Sequence, residues 1–368
     1  MTHPAPHIAV DARMATDGGI GTYLQGLIPR LAEARREWKF TALGNPHELR
    51  SVGWHEHPNV AIRDARAHIF SAAEQLELPL RCPSNATVFW APHYNVPVLM
   101  RRRPILVTIH DVNHLALPEL MGSPLRRSYA RWMLERAYRT AAHVLFDTRF
   151  SRSEAERLLG APHQRATVVH LGVSESWRNA RDAAPDAPVA GPYFVYVGNF
   201  KRHKNVPLLL RAFARVRDRI PHRLVLIGRR EGLRADPGVQ AELDRLGDRA
   251  LYAGEVGRRE LRRYVAHAAA LVTASRYEGF GLPPLEAMSA GCPCLVSRAG
   301  SLPEVCGDAA LYCDPDDEAS VAEGLVRIAT DPQLRASLVE RGRARSAEFT
   351  WERTTAATLA VLDRLARP

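Results

Sequence analysis

The chain has 368 residues, of which 46% are hydrophobic and 24% charged, and its formal net charge is +10. This length suits two ordinary domains with real cores and excludes a single small module. No apolar run approaches the length of about 20 residues needed to span a bilayer, and the first residues lack a basic segment followed by an apolar one. We therefore expect a soluble, cytoplasmic protein.

The positive charge favours anionic partners such as sugar nucleotides, phospholipid headgroups, lipid pyrophosphates or nucleic acid, without choosing among them. The number of cysteines is odd and no Cys-x-x-Cys spacing is paired, so the sequence suggests neither a disulfide framework nor a zinc knuckle. We expect reduced thiols, mostly in the core, at Cys82, Cys292, Cys294, Cys306 and Cys313.

Apolar runs alternate with longer amphipathic stretches along the first half of the chain, which predicts a parallel sheet covered by helices. The predicted strands are 7–12, 40–43, 88–91, 105–109, 143–146 and 167–170. Residues 179–192 are small and proline-rich and lack a hydrophobic period, which is typical of a linker. We therefore predict a first α/β domain over 1–178, followed by an interdomain linker over 179–192.

The same alternation restarts after the predicted linker. It predicts strands at 193–197, 224–227, 250–253, 270–274 and 294–297, and helices at 206–220 and 261–267. A second Rossmann-like domain over 193–349 follows from this pattern. The chain then ends with a segment, 350–368, that contains a predicted helix at 351–366.

Two glutamates, Glu278 and Glu286, flank a Gly-Phe-Gly turn directly after an apolar run. The pattern predicts a strand, a glycine loop and a helix, because Pro283 and Pro284 suit a first helical turn. The glycines let backbone N–H groups approach a polar ligand, and two carboxylates can accept hydrogen bonds from several hydroxyls. This arrangement suits a sugar; the alternative is ordinary complementarity between an acid and a helix dipole.

A basic loop follows the predicted strand 193–197. It begins at Gly198 and Asn199 and continues through Arg202, His203 and Lys204 into a helix. Loops after parallel strands open at the carboxyl edge of the sheet, where a helix N-terminus adds donors for phosphate. The loop therefore predicts a diphosphate site; the alternative is a basic surface turn.

Polar residues also follow two strands of the first domain. His110 and Asp111 come after 105–109, and an imidazole beside a carboxylate suits a general base or a hydrogen-bond donor to sugar hydroxyls. His93 and Asn95 follow 88–91 and are further candidates for a ligand site at this edge of the sheet. For each histidine, the alternative is a structural role at a strand end.

Gly19 belongs to a Gly-Gly-x-Gly loop, 16–23, after the first strand. Its spacing differs from the dinucleotide fingerprint, and a tight structural turn is the alternative to a ligand site. The predicted helix 123–139 mixes arginines with aromatic side chains, a combination that suits an anionic membrane surface. The alternative for this helix is ordinary packing on a sheet.

The segment with Glu278 and Glu286 closely resembles the Glu-x7-Glu signature of retaining, nucleotide-sugar-dependent glycosyltransferases of family four. The basic loop resembles the Gly-x6-Lys pyrophosphate element of that family, and the segment before Asp111 resembles its Thr-x-His-Asp motif. The motifs occur in the family's order over nearly the whole chain. The resemblance implies the GT-B fold, two Rossmann-like domains with parallel sheets facing a central cleft, and a last helix that crosses back to the first domain.

The resemblance also implies roles. Lys204 would contact the pyrophosphate, Glu278 the donor hydroxyls and Glu286 the ribose, while His110 would contact the donor sugar with support from Asp111. The family often has arginine where this chain has Asn199, which makes Arg202 and His203 candidate substitutes. The predicted catalytic residues are His110, Lys204 and Glu278. The predicted residues on the side of the acceptor are His93, Asn95 and Asp111. The predicted donor-binding residues are Gly19, Gly198, Asn199, Arg202, His203, Lys204, Glu255, Val256, Glu278, Gly279, Phe280, Gly281, Leu282 and Glu286.

These expectations describe a retaining, metal-independent hexosyltransferase without a cofactor, since the nucleotide sugar is a substrate. The resemblance leans toward mannosyl- and rhamnosyl-type bacterial enzymes of surface polysaccharide synthesis, with a GDP-sugar donor and a glycan or polyprenyl-linked acceptor. Contact with the inner face of the cytoplasmic membrane is a further expectation, and nucleic acid is not an expected partner. The alternatives are a GT-B hydrolase or epimerase of nucleotide sugars, and a non-catalytic basic binding protein.

Overall fold

The computed structural model describes residues 5–100, 103–118, 124–160, 162–182, 185–229 and 237–366. The chain forms two compact units, one from Met1–Gly172 with Thr350–Pro368 and the other from Val173–Phe349. The division therefore precedes the predicted linker 179–192, of which residues 183 and 184 lie outside the described residues. Within this stretch Ala180 and Val189 bury their side chains, and the stretch belongs to the second unit.

The first unit is built on a seven-stranded parallel sheet. Its strands are β1 (His7–Asp11), β2 (Lys39–Gly44), β3 (Val60–Asp64), β4 (Val88–Ala91), β5 (Ile105–Ile109), β6 (His143–Phe146) and β7 (Ala166–Val168). Its helices are α1 (Gly18–Ala34), α2 (Pro46–Ser51), α3 (Ala72–Arg81), α4 (Asn113–Ala116), α5 (Pro124–Thr140) and α6 (Arg149–Leu159). The strand order β3-β2-β1-β4-β5-β6-β7 is doubly wound, with its switch point between β1 and β4.

The second unit repeats this plan with six parallel strands. They are β8 (Tyr193–Val197), β9 (Arg223–Ile227), β10 (Ala250–Gly254), β11 (Ala270–Thr273), β12 (Cys294–Ser297) and β13 (Leu311–Cys313). The helices are α7 (Val206–Val216), α8 (Pro237–Leu246), α9 (Arg258–His267), α10 (Leu282–Ser289), α11 (Leu302–Cys306), α12 (Glu318–Thr330) and α13 (Pro332–Ser346). The order β10-β9-β8-β11-β12-β13 places the switch point between β8 and β11.

The last helix, α14 (Trp351–Leu365), belongs to the first unit and packs against α1. Trp351 is buried over Gly26, where a Cβ atom would lie 2.5 Å from the indole ring. The Thr354 hydroxyl also donates to the carbonyl of His170 over 2.8 Å. A glycine in α1 thus makes room for the ring that fixes the C-terminal helix in place.

Two strands were not predicted from the sequence. β3 is the edge strand of its sheet and exposes most of its side chains, so it lacks the apolar run of a buried strand. β13 has only three residues. β7 begins earlier than predicted, and its side chains are only half-buried. The five cysteines are all buried free thiols, as expected.

Candidate active site

Lys204 and Glu278 meet at the carboxyl edge of the second sheet. Lys204 follows β8 and Glu278 follows β11, and these two strands are neighbours on either side of the switch point. The Nζ atom of Lys204 lies 2.6 Å from Oε2 of Glu278, with the side chains 18% and 14% exposed. The fold therefore brings together the lysine predicted to bind diphosphate and the glutamate predicted to bind sugar.

The backbone of the basic loop is anchored on two sides. Arg202–Lys204 forms one 3-10 turn, after which Asn205 adopts a left-handed conformation with φ 55° and directly precedes α7. The Asn205 side chain donates to the carbonyl of Pro315 over 2.6 Å, and the carbonyl of His203 accepts from the N–H of Arg276 over 2.8 Å. These contacts fix the backbone that carries Lys204.

Asn199 stands where the family often has arginine, and it stabilises the start of the loop. Its side-chain oxygen accepts from the N–H of Lys201 over 3.3 Å, and its carbonyl accepts from the Tyr196 hydroxyl over 2.8 Å. The N–H of Gly198 donates to the carbonyl of Ile227, so Gly198 sits at the end of β8. Because the Asn199 side chain is neutral, Arg202 and His203 stay the candidates for the missing cationic contact.

The loop that carries Glu278 packs tightly against a glycine. Gly300 has φ 60°, and a Cβ atom there would lie 2.6 Å from the backbone nitrogen of Glu278. The next residue, Ser301, donates its N–H to the carbonyl of Glu278 over 3.1 Å. The segment between β11 and α10 is thus held from behind by the loop after β12, and it has the predicted strand, loop and helix order.

The remaining residues of the Glu-x7-Glu segment surround this loop. Gly281 has φ 95° and directly precedes Leu282, the half-buried first residue of α10. The Phe280 ring is buried and packs edge-on against Phe349 at 5.9 Å. Gly279 and Gly281 therefore flank a ring that anchors the turn.

Glu286 lies in α10, and the pKa of its carboxyl lies well above the ordinary value of a glutamate. Burial raises the pKa of its carboxyl to about 7, although Arg258, Arg262 and a hydrogen bond from the Trp177 side chain favour the ionised form. Trp177 belongs to the 3-10 turn Glu175–Trp177 of the same unit and was not predicted as a site residue. The glutamate predicted to bind ribose therefore titrates near neutral pH.

Glu255 and Val256 follow β10 and lie farther along the sheet edge. Glu255 is exposed and pairs with Arg229, with Nε and Oε1 separated by 2.8 Å. Val256 is half-buried. β9 lies between β10 and β8, so Glu255 and Val256 belong to a neighbouring loop and not to the loops that carry Lys204 and Glu278.

His110 forms a dyad with Asp147 in the first unit. Its Nδ1 lies 2.6 Å from Oδ2 of Asp147, and its Nε2 lies 2.9 Å from the carbonyl of Pro92. Burial alone would lower the pKa of His110, but the carboxylates of Asp147 and Asp111 outweigh this effect and raise it. Both ring nitrogens face acceptors, so the geometry favours the doubly protonated imidazolium.

His93 and Asn95 lie inside a buried polar network rather than on an open surface. Nε2 of His93 lies 3.2 Å from Oδ2 of Asp11, and the Asn95 side-chain amide donates to Glu74. Arg13 pairs with both carboxylates, at 2.7 Å from Asp11 and 2.9 Å from Glu74. Because these side chains are occupied within the network, the structure gives His93 and Asn95 a supporting position at the predicted acceptor side.

The two other predicted residues of the first unit lie near helix starts. Gly19 is in the first turn of α1, which begins at Gly18, so the predicted loop is shorter than 16–23. Asp111 is half-buried and accepts from the N–H of Asn113 over 3.0 Å. Both residues follow strands of the sheet and lie on its carboxyl edge.

The structure adds residues that sequence reasoning missed. Asp147 directly follows β6, and His110 directly follows β5. Because β5 and β6 are neighbouring strands, this matching position after each strand could have predicted the contact between the two side chains. Asp316, in the loop after β13, pairs with Arg276 at 2.7 Å and lies beside the Pro315 carbonyl that holds Asn205. Only the folded chain brings that acidic loop to the basic one.

Metal-binding clusters and membrane-spanning helices are both absent from the described residues. Within those ranges, no three His, Cys, Asp or Glu side chains are grouped so that they could hold a metal ion. In the same part of the chain, no helix is both long and apolar enough to cross a bilayer.

Two protein-family models together match most of the chain. Residues 17–177 match the family model described as Glycosyltransferase Family 4, and residues 178–345 match that of Glycosyl transferases group 1. The chain is 32% identical over 284 residues to O-antigen chain mannosyltransferase B of Escherichia coli, covering 74% of this chain and 73% of that protein. It is 26% identical over 236 residues to O-antigen chain mannosyltransferase RfbU of Salmonella typhimurium, covering 64% and 63% of the two chains.

Solved structures agree on the fold. Sucrose-phosphate synthase from Thermosynechococcus elongatus has a TM-score of 0.79 at 20% identity and covers 98% of this chain and 99% of its own. Anabaena HepE in complex with UDP and glucose has a TM-score of 0.77 at 17% identity and covers 98% and 100% of the two chains. These findings confirm the predicted family and fold: the chain belongs to glycosyltransferase family 4 and has the GT-B fold.

Proposed function

We propose that this protein transfers a mannose- or rhamnose-type hexose from a GDP-sugar to a glycan or a polyprenyl-linked saccharide during surface polysaccharide synthesis. Two relatives named as O-antigen chain mannosyltransferases support the hexose and the process. The observation that carries the proposal is the Lys204–Glu278 pair, with its 2.6 Å contact at the switch point of the second sheet. The site unites a cation for phosphate with a carboxylate for sugar hydroxyls.

The proposed mechanism follows from the charges that develop in the reaction. As the bond between the anomeric carbon and the phosphate oxygen breaks, the sugar becomes oxocarbenium-like and the diphosphate gains negative charge. Lys204 and the first turn of α7 stabilise that leaving group, since preorganised donors and cations act where charge develops. Glu278 and the backbone of Gly279–Gly281 hold the donor hydroxyls, and Glu286 binds the ribose.

Retention of the anomeric configuration is part of the proposal. The acceptor hydroxyl attacks from the face that the diphosphate leaves, and the departing phosphate oxygen takes its proton. We assign no enzymic nucleophile. The positive charge of the basic loop makes a divalent metal dispensable in this scheme, and no cofactor is required. His110, held by Asp147 at 2.6 Å, donates a hydrogen bond to the donor sugar after its ring leaves the Pro92 carbonyl.

Contact with an anionic membrane is proposed for α5. Leu125 and Trp132 are 79% and 49% exposed on this helix, and the Arg131 side chain is 57% exposed. Exposed apolar and aromatic side chains beside a cation suit the interface between headgroups and acyl chains. Ser123, in the predicted extent of this helix, lies outside the described residues, as does the side chain of Arg126.

Acceptor-dependent turnover tests the proposal against its alternatives. The purified protein is incubated with GDP-mannose, with and without mannose-terminated oligosaccharides, and both GDP release and the glycan product are measured. The proposal predicts GDP release that requires an acceptor and falls at least about 100-fold in Lys204→Ala. Release without an acceptor would favour a hydrolase, and unchanged turnover in Lys204→Ala would remove the proposed role of that residue. The matched control is Lys201→Ala, because Lys201 is the exposed residue just before the 3-10 turn.

A further inference from the structure

Phe70 adopts a backbone conformation that its side chain disfavours. It has φ 67°, and among the described residues it shares the left-handed region with one other non-glycine residue, Asn205. Asparagine tolerates this region, whereas a bulky residue is a genuine outlier there. The Phe70 side chain is nevertheless 52% exposed, so burial of the ring does not explain the strained backbone.

A buried carboxylate holds the strained backbone in place. Oε1 of Glu74 accepts from the N–H of Phe70 over 2.9 Å, and Oε2 of Glu74 accepts from Arg13 over 2.9 Å. The Glu74 side chain is fully buried. The network that orders this loop therefore presents a large aromatic ring to solvent.

Two tyrosines extend the aromatic surface that begins at Phe70. The ring centroids of Tyr94 and Phe70 are 5.9 Å apart. Those of Tyr129 and Phe70 are 6.5 Å apart, with an angle of 84° between the ring planes. The Tyr129 hydroxyl donates to the side chain of Asn95 over 3.0 Å, and Asn95 donates in turn to Glu74. One buried network thus orients both the strained residue and the Tyr129 ring.

The aromatic surface lies at the carboxyl edge of the first sheet, where α/β proteins bind ligands. Tyr94 follows β4, and the carboxylate of Asp111, after the adjacent strand β5, is close enough to help raise the pKa of the Tyr94 hydroxyl beyond the effect of burial. Aromatic rings cover the apolar C–H face of a pyranose, and a carboxylate accepts from its hydroxyls. A hydrocarbon chain would gain nothing from the adjacent carboxylate.

We infer that Phe70, Tyr94 and Tyr129 form a platform for a sugar ring of the acceptor, with Asp111 accepting hydrogen bonds from its hydroxyls. This inference rests on the proposed transferase function and names the residues that recognise the acceptor. It also gives the buried Asp11, Arg13 and Glu74 network a purpose, which is to hold the platform at the sheet edge.

Saturation-transfer NMR of the full chain tests the platform without any donor. The probes are mannose, glucose and N-acetylglucosamine disaccharides at millimolar concentration, and vesicles of anionic phospholipid serve as the competing ligand. We expect at least one disaccharide to bind and Phe70→Ala to weaken that binding by about tenfold or more. Leu80→Ala is the matched control, because Leu80 is an exposed apolar residue of α3, 80% exposed, and should leave binding unchanged.

The variant Phe70→Gly separates the platform from a role in folding. Glycine adopts φ 67° freely, so this variant should melt at a higher temperature than Phe70→Ala while binding the disaccharide equally poorly. Saccharide binding that survives in both Phe70 variants would overturn the inference. Wild-type protein that binds no disaccharide, or binds only vesicles through Phe70, would overturn it as well.

Nucleotide binding by the same variants distinguishes this inference from the proposed function. Phe70→Ala should bind GDP as the wild type does, because every platform residue belongs to the first unit and the Lys204–Glu278 pair to the second. Loss of disaccharide binding with intact GDP binding supports the platform. Wild-type protein that binds disaccharide but no nucleotide would contradict the proposed transferase while leaving the platform supported.

Discussion

The Lys204 ammonium and the Glu278 carboxylate are in direct contact, with Nζ and Oε2 separated by 2.6 Å. Each group neutralises the other, so under the proposed function a nucleoside diphosphate would compete with Glu278 for the lysine. Such competition would involve only the two side chains, because neighbouring loops hold the backbones of both residues in place. Removal of Lys204 would leave an uncompensated carboxylate facing the phosphates, so the loss of affinity should exceed that of one cationic contact.

The acid strength of Glu286 predicts pH-dependent nucleotide binding. Burial raises its pKa to about 7, and under the proposed function only the ionised carboxylate would accept hydrogen bonds from two ribose hydroxyls. GDP affinity should therefore rise by about tenfold between pH 6 and pH 8, and Glu286→Gln should lose this dependence. Calorimetric titrations across that range measure both. An identical pH profile in the variant would assign the titration to another group.

The same raised pKa affects stability with a definite sign. The folded protein binds the Glu286 proton more tightly than the unfolded chain does. The protonated carboxyl therefore contributes to the free energy of unfolding, and this contribution is fully present below the ordinary pKa of glutamate. It is lost as pH rises through about 7. Glu286→Gln should consequently melt closer to the wild type at pH 5 and gain relative stability at pH 8, as followed by thermal unfolding.

The His110–Asp147 dyad predicts a titration shift. Burial favours neutral His110, and Asp147 is the strongest of the groups that favour the charged ring. Asp147→Asn should lower the pKa of His110, which NMR of labelled histidine measures directly. Asp111→Asn is the matched control and should lower it less, because Asp111 acts without a hydrogen bond to the ring. An unchanged histidine titration in Asp147→Asn would show that the dyad does not set the charge of His110.

Gly300 should matter more than another glycine with a similar backbone. Gly300→Ala would place a Cβ atom 2.6 Å from the nitrogen of Glu278, whereas Gly247, with φ 51°, has open space around it. We expect Gly247→Ala to lose only about 1–2 kcal/mol of unfolding free energy through backbone strain. Gly300→Ala should lose more and also weaken GDP binding. Equal effects of the two substitutions on stability and binding would contradict the packing argument.

The buried ion pairs of Arg13 predict a large loss of stability. Arg13→Ala would leave the carboxylates of Asp11 and Glu74 buried without their cation, which typically costs about 3–5 kcal/mol. Arg66→Ala is the control, because the Arg66 and Asp64 side chains are 66% and 47% exposed and such pairs contribute about 0–1 kcal/mol. Urea unfolding compares the two variants. A small loss in Arg13→Ala would mean that water or other groups compensate the buried charges.

The fold and the positions of the motifs that contain Lys204 and Glu278 were largely predictable from the sequence, because each depends on short-range patterns. The apolar strands give βαβ order, and Lys204 and Glu278 each follow one of them closely. To predict the Lys204–Glu278 contact, one must also know that β8 and β11 are neighbours, which follows from the doubly wound strand order. Residues that depend on distant packing were not predictable in this way. Trp177 reaches Glu286, and Gly300 packs on Glu278, only after the chain folds.

The predicted acceptor side of the first unit shows the same limit. His93 and Asn95 follow β4 as predicted, but their burial depends on Asp11 and Glu74, which lie far away in sequence. A polar residue after a strand can face either the solvent or an internal network, and local sequence does not distinguish these cases. The exposed ring of Phe70 was missed because no sequence pattern marks a strained backbone.

Calorimetric binding of GDP, UDP, dTDP and ADP to the purified protein, without added metal, tests the donor site most directly. The proposed function predicts selective binding of one nucleotide, with GDP the expected one, strong loss in Lys204→Ala and little change in Lys201→Ala. No binding by any of the four nucleotides, or binding that Lys204→Ala leaves intact, would contradict the central claim that the Lys204–Glu278 pair receives a nucleoside diphosphate.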